Sequence, residues 1–337
     1  MRAAVFYGKE GIRMEDHPIP SAPLGKVLIR VKASGICGGE YNTYRQRKDT
    51  PVPDQGVILG HEVVGEVVQA AGGLQKGDLA AVSPNSGCGT CWYCTHGIPY
   101  ECKNKPVHTA ETGGGYAEYL VTDPELCYVL PRDTPAVKMA MAEPLACCVH
   151  SVRRVGIGMG DRVAILGAGG GAQMFVQLAR LQGASLIAVY DDMEERLALA
   201  KSLGADRVVS TRENPEPGEG EYDVVIVTRS AAKFFEQALT MADFRGRVLV
   251  YGVAAPETSF QAVPRLIWRK QLSVIGSRSF EGNAFETAVK LLLADRIETK
   301  PLINRIISLD QAAWALENPQ GQIKTVIVPC REGEERI

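Results

Sequence analysis

The sequence has no run of about 20 apolar residues, so no segment reads as a helix able to cross a bilayer. It also lacks any cluster of basic residues: 37 Lys and Arg against 39 Asp and Glu leave a net charge of -2. That balance gives no electrostatic footprint for nucleic acid or an anionic membrane and directs attention to a small-molecule substrate. The opening MRAAVFYGKEGIRMED has neither a long apolar stretch nor a small-residue cleavage site, so the cytoplasm is the expected compartment. No internal repeat or low-complexity tract is present, and the one polar Pro/Gly/Glu run, TRENPEPGEGEY, reads as a surface loop.

What is present is a globular composition. The 337 residues leave room for two domains, with 45% hydrophobic and 23% charged residues, and 35 Gly with 19 Pro imply many tight turns. Nine cysteines read as metal ligands and buried thiols rather than as a disulfide framework.

From Met1 to about Leu130, short apolar segments are broken by Gly, Pro and Asp: AAVFY, KVLIRVKAS, EVVGEVV, LAAVS, AEYLV and CYVLP. These predict an all-β region. From about Asp161 strand-like and helix-like segments alternate: RVAILGAG, a helix from Gly171 to Gly183, SLIAVYD, a helix from Glu194 to Leu203, then DRVVS, DVVIVT, a helix near Phe234 to Met241, RVLVYG and LSVIG. Such alternation predicts an α/β fold with a doubly wound parallel sheet. After Phe280 come AFETAVKLLLAD, a short helix near Gln311 to Glu317 and the strand KTVIVP, which could close either domain.

Cys88, Cys91, Cys94 and Cys102 form the pattern C-x2-C-x2-C-x7-C, separated by glycines and polar residues. Four thiolates at this spacing suit tetrahedral zinc, and because they fill every position the zinc is expected to be structural. A zinc ribbon that binds nucleic acid is the rival reading; the lobe has few basic residues, which argues against it. Cys127, Cys147, Cys148 and Cys330 stand in apolar contexts and read as buried thiols.

A second set of metal-binding residue types is scattered. GICGGE places Cys37 just after an apolar strand, GHEVVGEVV places His61 and Glu62 at the start of another, and AEPLACC places Glu143 at an expected helix start. Thiolate, imidazole and carboxylate together would make a zinc site with an open position, the catalytic kind. Taken singly, each has a plainer role, and spacing alone does not unite them.

VAILGAGGGAQM reads as a strand, a glycine turn and a helix start, with Gly167, Gly169 and Ala172 at the fingerprint positions and Gly170 and Gly171 between them. Such a turn lets a pyrophosphate approach helix N–H groups. Asp191, at the end of SLIAVYD, can accept hydrogen bonds from both ribose hydroxyls of NAD and would repel the 2′-phosphate of NADP, so NAD is the expected cofactor. A plain helix cap is the other role open to Asp191, and Asp192 competes for either.

In order along the chain, GICGGE, GHE-x-x-G, the four-cysteine lobe, EPL and VAILGAGGGA resemble the zinc-containing medium-chain dehydrogenase/reductase superfamily. Within it, EPL is most similar to the polyol dehydrogenases of sorbitol, threonine and galactitol-phosphate type. The resemblance implies a GroES-like catalytic domain over residues 1–147, carrying the structural-zinc lobe at 88–102, a Rossmann NAD-binding domain over 148–279, and a return to the catalytic domain over 280–337. It implies that Cys37, His61 and a carboxylate, Glu62 or Glu143, hold a catalytic zinc. It places the ends of two later strands, at Val227 and Val253, beside the nicotinamide, and it suggests a homodimer or homotetramer paired through LSVIGSRSF. Glu40 is a candidate catalytic group beside Cys37, or else a structural acid.

Three positions depart from the family. Relatives carry Ser or Thr two residues after the zinc cysteine, often with His three further on, to relay the alcohol proton; here those places hold Gly39 and Asn42. Arg229 stands where relatives usually place Gly. The expected activity is reversible NAD- and zinc-dependent oxidation of a polar secondary alcohol, with Glu40, Asn42, Tyr44 and Arg45 as possible pocket residues. The alternatives are a reductase of an activated double bond or imine, and a binding protein that keeps the fold without catalysis.

Overall fold

A computed structural model describes residues 1–46, 51–105, 112–213, 218–255 and 257–329. Cys330 and residues 214–217 of the polar run lie outside the described residues. The chain forms two compact units, one of Met1–Pro144 together with the segment from Glu281 onward, the other of Leu145–Phe280.

The first unit is built on β1 (Arg2–Phe6), β2 (Ile12–Asp16), β3 (Val27–Gly35), β4 (Val57–Ile58), β5 (Glu62–Gln69), β6 (Leu79–Val82), β7 (Tyr119–Thr122) and β8 (Cys127–Leu130). The second contributes β9 (Arg162–Leu166), β10 (Leu186–Asp191), β11 (Arg207–Ser210), β12 (Tyr222–Val227), β13 (Ala242–Val250) and β14 (Ser273–Gly276), and the chain returns with β15 (Ile303–Ser308) and β16 (Lys324–Val328). The helices are α1 (Gly38–Arg45), α2 (Trp92–Thr95), α3 (Ala136–Met139), α4 (Ala142–Val155), α5 (Gly170–Leu181), α6 (Glu194–Ser202), α7 (Ala232–Met241), α8 (Pro264–Lys270), α9 (Ala284–Leu293) and α10 (Ala312–Glu317). No helix among the described residues is long and apolar enough to cross a membrane.

In the first unit a seven-stranded sheet runs β15-β16-β3-β5-β6-β8, with β7 also paired to β3. β3 sits centrally and is buried at seven of its nine positions, which is why its sequence, VLIRVKASG, is almost continuously apolar. The closing strand β16 pairs antiparallel with β3, Val326 opposite Gly35, so the last strand completes the first unit. A smaller sheet, β2-β1-β4, packs its apolar side with Tyr41, Tyr44, Leu316 and Ile327.

The second unit is a six-stranded sheet in the order β11-β10-β9-β12-β13-β14, parallel throughout. Its central strands β9, β10 and β12 are buried at all but one position each, as expected when helices cover both faces. The order reverses beside β9, whose neighbours are β10 and β12, and a crevice at the carboxyl ends of strands opens at such a switch point.

Cys37 lies in the two-residue link between β3 and α1, just after an apolar strand as the sequence suggests, and α1, which the sequence reading did not expect, begins directly after it. Two glycines hide that helix from propensity, and a capping pair supplies what they lack. Trp268 and Trp314 are 76% and 47% exposed.

Candidate active site

Cys37 caps α1 with extended backbone, φ -76° and ψ 146°. Its Sγ accepts the Gly39 N–H at 3.3 Å while its own N–H donates to Glu40 Oε2 at 2.9 Å, a capping box with a sulfur in place of the usual hydroxyl. In the antiparallel β3·β5 pair Gly35 lies opposite Glu62, which brings residues 37, 61 and 62 to one sheet end. Donor atoms of Cys37, His61 and Glu62 lie within 4.8 Å of one another. Three such donors leave a tetrahedral metal one open position.

Glu40 is buried and saturated. Besides the Cys37 N–H, it accepts the Gly60 N–H at 2.8 Å and the Tyr116 hydroxyl at 2.5 Å, and its Oε1 lies 3.3 Å from His61 Nδ1. Burial works to raise its pKa, but His61, Tyr116 and the Cys37 N–H outweigh burial and hold it below the usual carboxylate value. With Nδ1 engaged, Nε2 is the His61 nitrogen left for a metal, the usual arrangement of a carboxylate behind a metal-binding imidazole. Of the two roles open to Glu40, the geometry fits the structural one; a group with every acceptor in use is no free acid or base. Tyr44 is 4% exposed in the core, its hydroxyl donating to Glu317, and with Arg45 it lines a cavity shared with Leu316, Glu317, Pro319 and Gln320.

Glu62 is 1% exposed, and neither carboxylate oxygen meets an aligned hydrogen-bond donor. Lys324 Nζ makes an ion pair with Oε2 and donates to the Ile36 carbonyl at 3.1 Å. Burial still pushes Glu62 up to about 7, against the pull of Lys324. A buried carboxylate so poorly compensated fits a cation at its open side. The carboxylate itself has room there because residue 35 is glycine: a Cβ at that position would lie 1.8 Å from Glu62 Oε2. Glu143, in the first turn of α4 and 7% exposed, stands outside the three-residue donor cluster, yet its charge raises both His61 and Glu62.

The four lobe cysteines also converge, with one sulfur from each within 4.8 Å of the others. Their thiols are free, and Cys91 and Cys94 Sγ stand 3.5 Å apart, far beyond a disulfide bond. Backbone N–H groups point at the sulfurs: Cys91 to Cys88, and Cys88 and Asn104 to Cys102, each at 3.3 Å. The Thr90 hydroxyl and N–H groups bring Cys88 down to about 5, while desolvation pushes Cys94 up to about 12. Thiols this crowded cannot all ionise without a cation among them, and a tetrahedral metal fits.

In the second unit the glycine turn follows β9 and opens α5. Gly167 has φ +107°, a left-handed conformation that favours glycine, and space beside Gly169, the residue before α5, is open. Gly170 and Gly171 begin the helix and Ala172 is buried against the sheet. Open backbone at a helix start fits a pyrophosphate. The Asp191 side chain is fully buried: Oδ2 accepts the Ala168 N–H at 2.7 Å and Oδ1 the Met193 N–H at 2.9 Å. Asp192 is the more exposed acid, at 41% of its side chain. Val227 is buried in the core with its carbonyl used by Tyr251 and Gly252 N–H, whereas Val253 is 65% exposed.

Sequence reasoning missed Lys324, Tyr116 and the role of Gly35. Lys324 left one signal, a charge opening the otherwise apolar strand KTVIVP.

Residues 23–132 match the alcohol dehydrogenase GroES-like domain and residues 172–294 the zinc-binding dehydrogenase domain. The chain is 31% identical to D-altritol 5-dehydrogenase of Agrobacterium fabrum, over 84% of this chain and 85% of that one. It is 29% identical to a sorbitol dehydrogenase of Halalkalibacterium halodurans, over 96% and 97%. A provisionally named zinc-binding dehydrogenase of Sinorhizobium meliloti 1021, solved with NADP bound, superposes with a TM-score of 0.90 at 30% identity, covering 97% of this chain and 99% of that one. The chain therefore belongs to the zinc-binding alcohol dehydrogenase family, the medium-chain dehydrogenases with GroES-like and Rossmann units that include polyol dehydrogenases, and it is an oxidoreductase of that family.

Proposed function

We propose that the enzyme reversibly oxidises a polar secondary alcohol, of polyol, sugar or cyclitol type, to the ketone, with NAD as the preferred cofactor. The observation that carries this reading is the convergence of Cys37, His61 and Glu62 donor atoms within 4.8 Å. When bound, zinc supplies a Lewis acid for the substrate oxygen and NAD supplies the hydride acceptor.

The chain's own residues bind and orient. Cys37, His61 and Glu62 hold the catalytic zinc, with Glu62 favoured over Glu143 because only Glu62 joins the donor cluster. Glu40 aims the imidazole, and Cys88, Cys91, Cys94 and Cys102 hold a structural zinc. With Gly39 and Asn42 offering no relay, the alcohol proton leaves through water, with Glu143 as its acceptor.

A polar substrate is supported by the carboxylate ligand and by relatives named for altritol and sorbitol. The acid pair at the end of β10 supports NAD; the Sinorhizobium relative holds NADP, so both cofactors belong in the test. We place the enzyme in the cytoplasm as a homodimer or homotetramer paired through β14, an edge strand with Val274 47% exposed.

A screen of polyols, sugars and aminocyclitols for NAD reduction tests the reading, and a hit that needs zinc supports it. The missing hydroxyl at Gly39 also favours a second reading, reduction of an activated double bond or imine. Oxidation of NADH by enals or imines, with no alcohol turned over, would select that reading.

A further inference from the structure

Arg229 follows β12 and crosses the glycine turn. A Cβ at Gly167 would lie 2.9 Å from its Cγ and 3.1 Å from its Cδ, so its stem rests on the turn. Its Nη1 donates to Asp191 Oδ2 at 3.2 Å and to Asp192 Oδ1 at 3.0 Å, and its guanidinium lies 5.0 Å from the centre of the Phe234 ring. A cation thus stands at the carboxylate corner that should repel a ribose 2′-phosphate. The buried Asp191 carboxylate is taken up by Ala168, Met193 and Arg229. Asp192 is drawn down to about 2, chiefly by Arg229.

Only Nη1 of Arg229 is hydrogen-bonded among the described residues, and its side chain is 33% exposed. The remaining guanidinium N–H groups are donors in the fork geometry that suits phosphate, and the guanidinium lies within cation–π distance of the Phe234 ring. The guanidinium offsets one of the two carboxylate charges, and Lys233 Nζ, 5.1 Å from the centre of the same Phe234 ring, is a further cation nearby.

We infer that Arg229 is a cofactor-discriminating residue: it opens an otherwise NAD-selective corner to the ribose 2′-phosphate of NADP, so that the enzyme binds both dinucleotides. The inference rests on the reading of this unit as a dinucleotide site. A residue serving only to clamp Asp191 and the glycine turn would affect both cofactors alike, and that difference can be measured.

The test is calorimetric titration of the whole enzyme with AMP, adenosine 2′,5′-bisphosphate, NAD and NADP, which reads binding without turnover. Wild-type enzyme is expected to bind the bisphosphate within about tenfold of AMP. Arg229→Gln should weaken bisphosphate and NADP by about tenfold or more and AMP and NAD by less than about threefold, while Arg229→Lys retains most of the binding. Asp192→Asn removes a repelling charge as well as freeing the guanidinium, so it should tighten the bisphosphate relative to AMP; the double variant Asp192→Asn/Arg229→Gln should lose that gain, and this pair decides the matter if Arg229→Gln alone fails to fold. Equal losses for both ligands in Arg229→Gln, or no relative change in Asp192→Asn, overturn the inference. Failure of AMP and both dinucleotides to bind wild-type enzyme overturns the dinucleotide reading itself, and the inference with it.

Discussion

Glu40 Oε1 lies 3.3 Å from His61 Nδ1, and this contact decides which nitrogen of the imidazole faces a metal. The same carboxylate ties down the Cys37 and Gly60 N–H groups and the Tyr116 hydroxyl, so one buried acid orders the backbone around two ligands.

Glu40→Gln keeps the shape and removes the charge. Zinc affinity at the Cys37 site should fall about 10- to 100-fold, as for other partners behind a metal-bound histidine. Stability should fall by about 3–5 kcal/mol, the cost of breaking a buried charged pair from one side. Because the Glu40 pKa is held below its unfolded value, its contribution is fully present above that value and is lost as pH falls through the folded one. The stability gap between wild type and variant in urea melts should therefore be wide at pH 7 and shrink in acid. A gap that widens in acid would contradict the assignment.

Gly35→Ala places a methyl group 1.8 Å from Glu62 Oε2 and 2.9 Å from Lys324 Cε. The carboxylate must move, so metal analysis should show the Cys37 centre depleted and the four-cysteine centre filled. Glu62→Gln should lower zinc retention at the Cys37 centre more than Glu143→Gln does. The opposite order would make Glu143 the third ligand.

Cys91→Ser removes one of four converging thiolates. The lobe metal should be lost and Tm should drop by several degrees, because a structural site contributes folding free energy directly. Circular dichroism should show the rest of the fold intact, and unchanged Tm with unchanged metal content would refute a structural role.

A Cβ at Gly39 would lie 3.6 Å from Cys37 Sγ, an ordinary contact, so serine fits. Gly39→Ser should supply the missing relay, raising kcat for alcohol oxidation about three- to tenfold and moving the rise of the pH–rate profile to lower pH. Superimposable profiles would mean that the proton already has an equally good route.

The convergence of the four lobe cysteines was legible from their constrained spacing, whereas Cys37, His61 and Glu62 were united only by the family resemblance. The glycine turn was legible because strand, turn and helix start are adjacent. Partners joined by sheet pairing were not: Lys324 reaches Glu62 only because the final strand lies beside β3, and nothing local to either residue announces it. Glu40 could not be assigned until Tyr116 and Gly60 were seen to fill its acceptors. Arg229 read as an anomaly until its bonds to Asp191 and Asp192 gave it a partner.

The most direct test of the central claim is metal content measured together with NAD reduction for wild type, Cys37→Ser and Cys91→Ser, using the best substrate from the polyol screen. The account predicts metal at both centres in wild type, and in Cys37→Ser loss of the open-site metal alone with a fall in kcat of about 1,000-fold or more. Metal content in Cys37→Ser equal to wild type, with zinc removed only by substitutions in the four-cysteine lobe, would contradict it.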